Sequence, residues 1–160
     1  MLDKNNGNER RLADLEEVAT YRLARLQARL NAHAVALLRK HSVLSLTHWR
    51  LLTSINTLVE TNLAELVREM QFDKAQLSRG LKSMASLGLV EAVGNPTDNR
   101  KQIIRLTVAG KAEHSRLLPV MRARQGVLME EVSEAQKELF FEILDKFNEA
   151  LDRAEAYTYE

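Results

Sequence analysis

The feature that most constrains the fold lies between Asp73 and Leu106, where the periodicity of apolar residues changes. In "DKAQLSRGLKSMASLG", Leu77, Leu81, Met84 and Leu87 recur at three- and four-residue steps, which predicts a helix packed through that face. Beyond Gly88, a natural helix stop, "LVEAV" and "QIIRL" are short and rich in β-branched residues, and they flank the polar "GNPTDNRK". A helix followed by a two-stranded hairpin with a projecting loop is predicted.

Two further short helices precede this pair. Thr47 is placed to cap a helix over "HWRLLTSINTL", and Thr61 or Asn62 to cap one over "LAELVREM". Asp73, with Gln76 three residues on, opens the third helix in a box-like arrangement. Three short helices and a hairpin make the plan of a winged helix-turn-helix.

Long segments flank this unit. From Arg11 to about Lys40 there is no Gly or Pro, and Leu12, Leu15, Ala19, Leu26, Leu30 and Leu37 repeat at helical spacing. Thr107 is predicted to cap another helix, kinked at Pro119. In "SEAQKELFFEILDKFNEALDRA", Ser133 and Gln136 fit a capping box, and Leu139, Phe140, Ile143, Leu144, Phe147 and Leu151 share a face. Broad apolar faces at both ends of a chain of 160 residues predict a homodimer interface built from them. The expected organisation is a disordered start over 1–10, an N-terminal dimerisation helix within 11–45, the winged helix-turn-helix over 46–107, and C-terminal dimerisation helices over 108–160. The fold class is mainly α with a small β-hairpin wing.

Charge is distributed unevenly. Residues 1–72 carry 10 basic and 8 acidic side chains, residues 73–124 carry 10 and 4, and residues 125–160 carry 3 and 10, giving +2, +6 and −7. The basic middle points to a polyanionic partner. On the third helix Lys74, Gln76, Ser78, Arg79, Lys82 and Ser83 lie off the apolar face, with no carboxylate beyond the capping Asp73. Arg79 is suited to guanine O6 and N7 and Gln76 to adenine N6 and N7, while Lys74, Ser78 and Lys82 suit phosphate oxygens. Double-stranded DNA is the predicted partner, and Asp98, Arg100 and Lys101 the candidate wing residues.

From Leu46 to Leu151 the chain resembles the MarR family of winged-helix transcriptional regulators. The wing pattern Asp-x-Arg, then Leu-Thr-x-x-Gly, corresponds to Asp98, Asn99 and Arg100, then Leu106, Thr107 and Gly110. The recognition-helix pattern corresponds to Ser78 and Arg79 followed by Gly88, Leu89 and Val90. The resemblance implies a homodimer with interlocking first and last helices, a wing arginine entering the minor groove, and a pocket for a small-molecule effector. It departs from the family at Gly94, Asn95 and Pro96, where many members carry an arginine. Lys101 is placed to compensate.

Other chemistries lack a signal. With no cysteine, thiolate metal sites, cysteine nucleophiles and disulfides are excluded. His33, His41, His48 and His114 show no ligand spacing, so no metal is expected. No nucleophile elbow or phosphate-cradling glycine loop occurs, so neither an enzyme nor a cofactor is expected. Trp49 is assigned to the core, and the stripe Arg22, Arg25 and Arg29 to a solvated face. The polar start is no signal peptide and no apolar run reaches membrane-spanning length, so a cytoplasmic protein without membrane contact is expected. These features predict a ligand-responsive repressor on a pseudo-palindromic operator. The alternative is a winged-helix protein-interaction module, an antirepressor or scaffold, whose signature would be a neutral or acidic recognition face.

Overall fold

The structure, a computed structural model, describes residues 17–95 and 98–158, with side chains throughout except at 95, 98–101 and 155–158. The expected disordered start over 1–10, and Leu12 and Leu15 of the first helix, lie outside the described residues. The chain divides into two compact units, 1–118 and 119–160.

The elements run α1 (Ala19–His41), α2 (Leu46–Leu58), α3 (Leu63–Met70), α4 (Lys74–Ser86), β1 (Val90–Asn95), β2 (Asp98–Leu106), α5 (Val108–Met129) and α6 (Glu134–Thr158). Of the segment predicted to be helical from Arg11 to about Lys40, residues 11–16 lie outside the described residues, and the described helix begins at Ala19. Glu17 lies in a turn and Val18 is extended, so the helical ladder starts with the Arg22 amide donating to the Val18 carbonyl.

Local chemistry sets the remaining ends. Ser45, not Thr47, caps α2: its hydroxyl accepts from the His48 amide at 3.2 Å, and His48 Nδ1 accepts from the Ser45 amide at 3.4 Å. Both residues are good caps, but only at Ser45 does the chain turn extended before entering the helix. Asn62 caps α3 through the Glu65 amide, and Asp73 caps α4 through the Gln76 amide. Gly88 ends α4 at φ +69, where its amide reaches the Ala85 carbonyl and the Leu89 amide reaches Met84. A left-handed residue there turns the chain from helix to strand, which is why glycine suits the position.

In the first unit Leu38, Leu51, Leu52, Ile55, Leu66, Leu77, Met84 and Leu117 are fully buried, so α1 to α5 all feed one core. Leu77 and Met84 are the inward face of α4, and Leu81 is half-buried. Leu87 departs from the predicted face: it is 49% exposed, because the helix has ended and the chain is already turning away.

The hairpin strands are longer than predicted. Val90 pairs with Leu106 and Gly94 with Gln102, after which the register shifts so that Asn95 pairs with Asp98. Asp98, Arg100 and Lys101, expected in the loop, therefore belong to β2, at the register shift. Residues 98–102 are all polar and show no apolar alternation, so the pattern did not reveal this part of the strand. A further bridge joins the base of the hairpin to the turn after α2. Thr61 and Ile104 exchange both amide-to-carbonyl bonds, at 3.1 and 2.7 Å. Just before it, Val59 takes φ 64 and ψ −57 while the Glu60 amide donates to the Leu58 carbonyl at 2.7 Å, a tight γ-turn.

In the second unit, the Ser133 hydroxyl accepts from the Gln136 amide and the Gln136 carboxamide oxygen accepts from the Ser133 amide, the predicted capping box of α6. Leu139, Phe140, Phe141, Ile143, Phe147 and Leu151 of α6 are between 38% and 61% exposed. Pro119 lies inside α5, where it has no N–H to donate to the carbonyl four residues earlier.

Candidate nucleic-acid interface

Helix α4 packs on α2 and α3 and turns its other side outward. With 3.6 residues per turn, Ala75, Arg79, Lys82 and Ser86 fall within roughly 60° of one another, opposite the buried Met84. All four are exposed. Lys74 and Gln76 are exposed beside them, while Ser78 and Ser83 are half-buried on the flanks. No Asp or Glu occurs between Lys74 and Ser86, so the outward surface carries only positive and neutral groups.

Two contacts hold the helix in place. A Cβ on Gly80 would lie 2.9 Å from Leu51 Cδ1 and 3.5 Å from Thr47 Cγ2, so the two helices approach closely at this point. Thr47, displaced from the predicted cap, has another partner: its hydroxyl accepts from the Gln76 carboxamide at 3.3 Å. The Gln76 side chain therefore does not complete a capping box with Asp73.

The structure brings the backbone of Asp98, Arg100 and Lys101 together on β2, but their side chains lie outside the described residues, as do Pro96 and Thr97. Nearer the hairpin base, Arg105 Nε donates to Glu91 at 2.7 Å and Nη1 lies 3.8 Å from Glu60. This arginine is engaged across the two strands and with the γ-turn.

A groove of about 540 Å³ lies in the first unit between α1, α2 and the turn leading into α4. Gln27 and Asn31 line it from α1, Trp49, Arg50 and Thr53 from α2, and Phe72 from the turn. Asn31 Oδ1 accepts from Arg50 Nη2 at 2.7 Å and from Gln27 Nε2 at 2.8 Å, and the Arg50 guanidinium sits 5.4 Å from the centre of the Phe72 ring. Trp49 is core, as expected, at 8% exposure, yet it also borders the groove. Its ring stacks on buried His114 at 5.3 Å and 7°. Close by in sequence, Glu113 accepts from Arg116 and from the Ser42 hydroxyl, and the Arg116 hydrogen bond first, then that from Ser42, holds its carboxyl below the usual range.

Among the described residues no group of three His, Asp or Glu side chains is placed to hold a metal ion, and no helix is long and apolar enough to cross a membrane. Arg22, Arg25 and Arg29 are exposed on α1, with the Arg25 guanidinium 5.7 Å from the Tyr21 ring centre.

Residues 44–101 match the model of the MarR family. The chain is 28% identical over 120 residues to an uncharacterized HTH-type transcriptional regulator, YdgJ, of Bacillus subtilis, a match covering 71% of this chain and 69% of that protein. Its fold matches the crystal structure of a MarR/EmrR family transcriptional regulator from Acinetobacter sp. ADP1 with a TM-score of 0.82, at 23% identity over 87% of this chain and 98% of that one. It also matches a mutant E. coli MarR complexed with operator DNA, with a TM-score of 0.66 at 24% identity, covering 78% of this chain and 92% of that one.

Proposed function

We propose that this chain, whose residues 44–101 carry the MarR-family pattern on the fold of MarR-family transcriptional regulators, is a homodimeric, ligand-responsive repressor of a pseudo-palindromic operator. The observation that carries the reading is the outward surface of α4, where Lys74, Arg79 and Lys82 stand exposed without an acidic neighbour. Such a surface approaches phosphate without repulsion and presents a forked donor to base edges. In this reading Arg79 addresses guanine and Gln76 adenine, while Lys74, Ser78, Ser83 and Lys82 face the backbone. The operator complex of an E. coli protein with this fold supports the DNA-binding reading, and a helix of the size of α4 suits the major groove.

The wing completes the interface. Arg100 enters the minor groove, Asp98 orients its guanidinium, and Lys101 contributes phosphate contact. If Asp98 positions Arg100, removing either weakens binding, even though losing Asp98 removes a negative charge.

Dimerisation follows from the apolar side chains that α6 exposes, among them Phe140, Ile143 and Phe147, which a second copy would cover. A two-fold dimer places its recognition helices at half-sites about one helical turn, roughly 34 Å, apart. The groove at Asn31 and Arg50 supports the effector site. It touches Phe72, one residue before the α4 cap, so an occupant that shifts this turn changes how α4 is presented.

Selecting bound duplexes from a random pool tests the reading directly. A two-fold symmetric consensus is expected, and equal affinity for selected and random duplex across salt concentrations would overturn it.

A further inference from the structure

We propose that Ala75 is a specificity-determining residue, its methyl group packing against the 5-methyl of a thymine in each operator half-site. The inference rests on the DNA-binding reading above and names one base that reading leaves open.

Ala75 occupies the middle of the exposed stripe, with Lys82 and Arg79 to either side of it at helical spacing. It lies in the first turn of α4, the end that a recognition helix directs at base edges. Its neighbour Gln76 stands about 100° further round the helix, beside Thr47, so the front of that turn presents a methyl group. An alanine there does two things. It lets the helix approach the groove floor, since no long side chain intervenes, and it offers the floor an apolar surface. Among the major-groove edges only thymine carries a methyl group, and an alanine methyl is a matching contact. Lys74, Arg79 and Lys82 surround the position with positive charge, which suits duplex DNA and disfavours an apolar protein partner at the same spot.

The spacing also locates the base. Ala75 and Arg79 are four residues apart, about 6 Å along the helix at 1.5 Å per residue. Base pairs rise about 3.4 Å, so the thymine lies within about two base pairs of the guanine that Arg79 addresses.

The test uses the full chain and an operator obtained by selection, with each thymine replaced in turn by deoxyuridine, which lacks only the methyl group. One thymine per half-site should prove sensitive, losing about fourfold in affinity, the worth of one buried methyl-sized group. In Ala75→Ser, which differs by one hydroxyl and places a polar group where the methyl stood, deoxyuridine and thymine should bind alike. Ala75→Gly should behave the same way, whereas Lys82→Ala should retain the full preference for thymine. An operator whose thymines all tolerate deoxyuridine, or a sensitive thymine unaffected by Ala75→Ser, overturns this inference while leaving DNA binding intact. Failure to select any operator overturns both.

Discussion

Gly110 lies so close to Leu89 that a Cβ added to it would fall 2.0 Å from the Leu89 carbonyl oxygen and 3.0 Å from its carbon. The Leu-Thr-x-x-Gly pattern thereby acquires a physical meaning. Thr107 caps α5 through the Gly110 amide at 3.0 Å, donates its hydroxyl to the Gly88 carbonyl at 2.6 Å, and its own amide reaches the Leu89 carbonyl at 3.1 Å. The start of α5 is locked onto the end of α4 by one threonine and one missing side chain.

Gly110→Ala should accordingly destabilise the first unit by about 3 kcal/mol, because backbone rather than a side chain must yield. Urea denaturation followed by circular dichroism checks this. A variant as stable as the parent would show that the two segments separate without cost.

His48 makes stability depend on pH. Its Nδ1 accepts the Ser45 amide, which only the neutral ring can do, and burial lowers its pKa below 6.5. The unfolded chain then binds a proton more readily than the folded one, so the contribution is complete above pH 6.5 and is lost as pH falls through the folded value. His48→Gln keeps a capping-box acceptor without titrating. Stability curves of parent and variant should run parallel above pH 6.5 and separate below it, the parent falling faster.

The γ-turn at Val59 is strained for a β-branched residue, and that side chain is 69% exposed, so little burial is lost by removing it. Strain of this kind costs on the order of 1–3 kcal/mol. Val59→Gly should therefore be between neutral and about 1 kcal/mol more stable, after the added freedom of the unfolded chain offsets part of the relief. Thermal unfolding gives the sign, and clear destabilisation would contradict the turn geometry.

Arg79 and Lys82 should separate in a salt titration. Lys82→Ala should lower the magnitude of the log affinity against log salt slope by about 1 per subunit with base preference retained. Arg79→Ala should relax preference at one base pair per half-site, at a cost of about 1–3 kcal/mol on the cognate site. Exchanged phenotypes would reverse the assigned roles.

What could be read in advance was local. Asn62, Asp73, Thr107 and Ser133 announce helix starts because a short acceptor side chain precedes an apolar repeat, and Leu77 and Met84 announce the inner face of α4. Errors arose where two local solutions compete, as at Ser45 and Thr47, or where a pattern ends, as at Leu87. Features joining distant segments left no trace in any window: the bridge between Thr61 and Ile104, the bond from Gln76 to Thr47, and the groove closed by Asn31, Arg50 and Phe72. Ala75 went unremarked for a different reason, since a small apolar residue carries no chemical flag until its exposure is known.

The bridge at Thr61 also bears on how such a molecule would let go of a duplex. Helix α2 supports α4 at Gly80 by direct contact, and through the short turn at its end it holds β2 at Ile104. The two parts that would grip neighbouring grooves thus share one mount. A displacement of α2 would reach both at once, so release would resemble a clutch disengaging rather than fingers lifting singly.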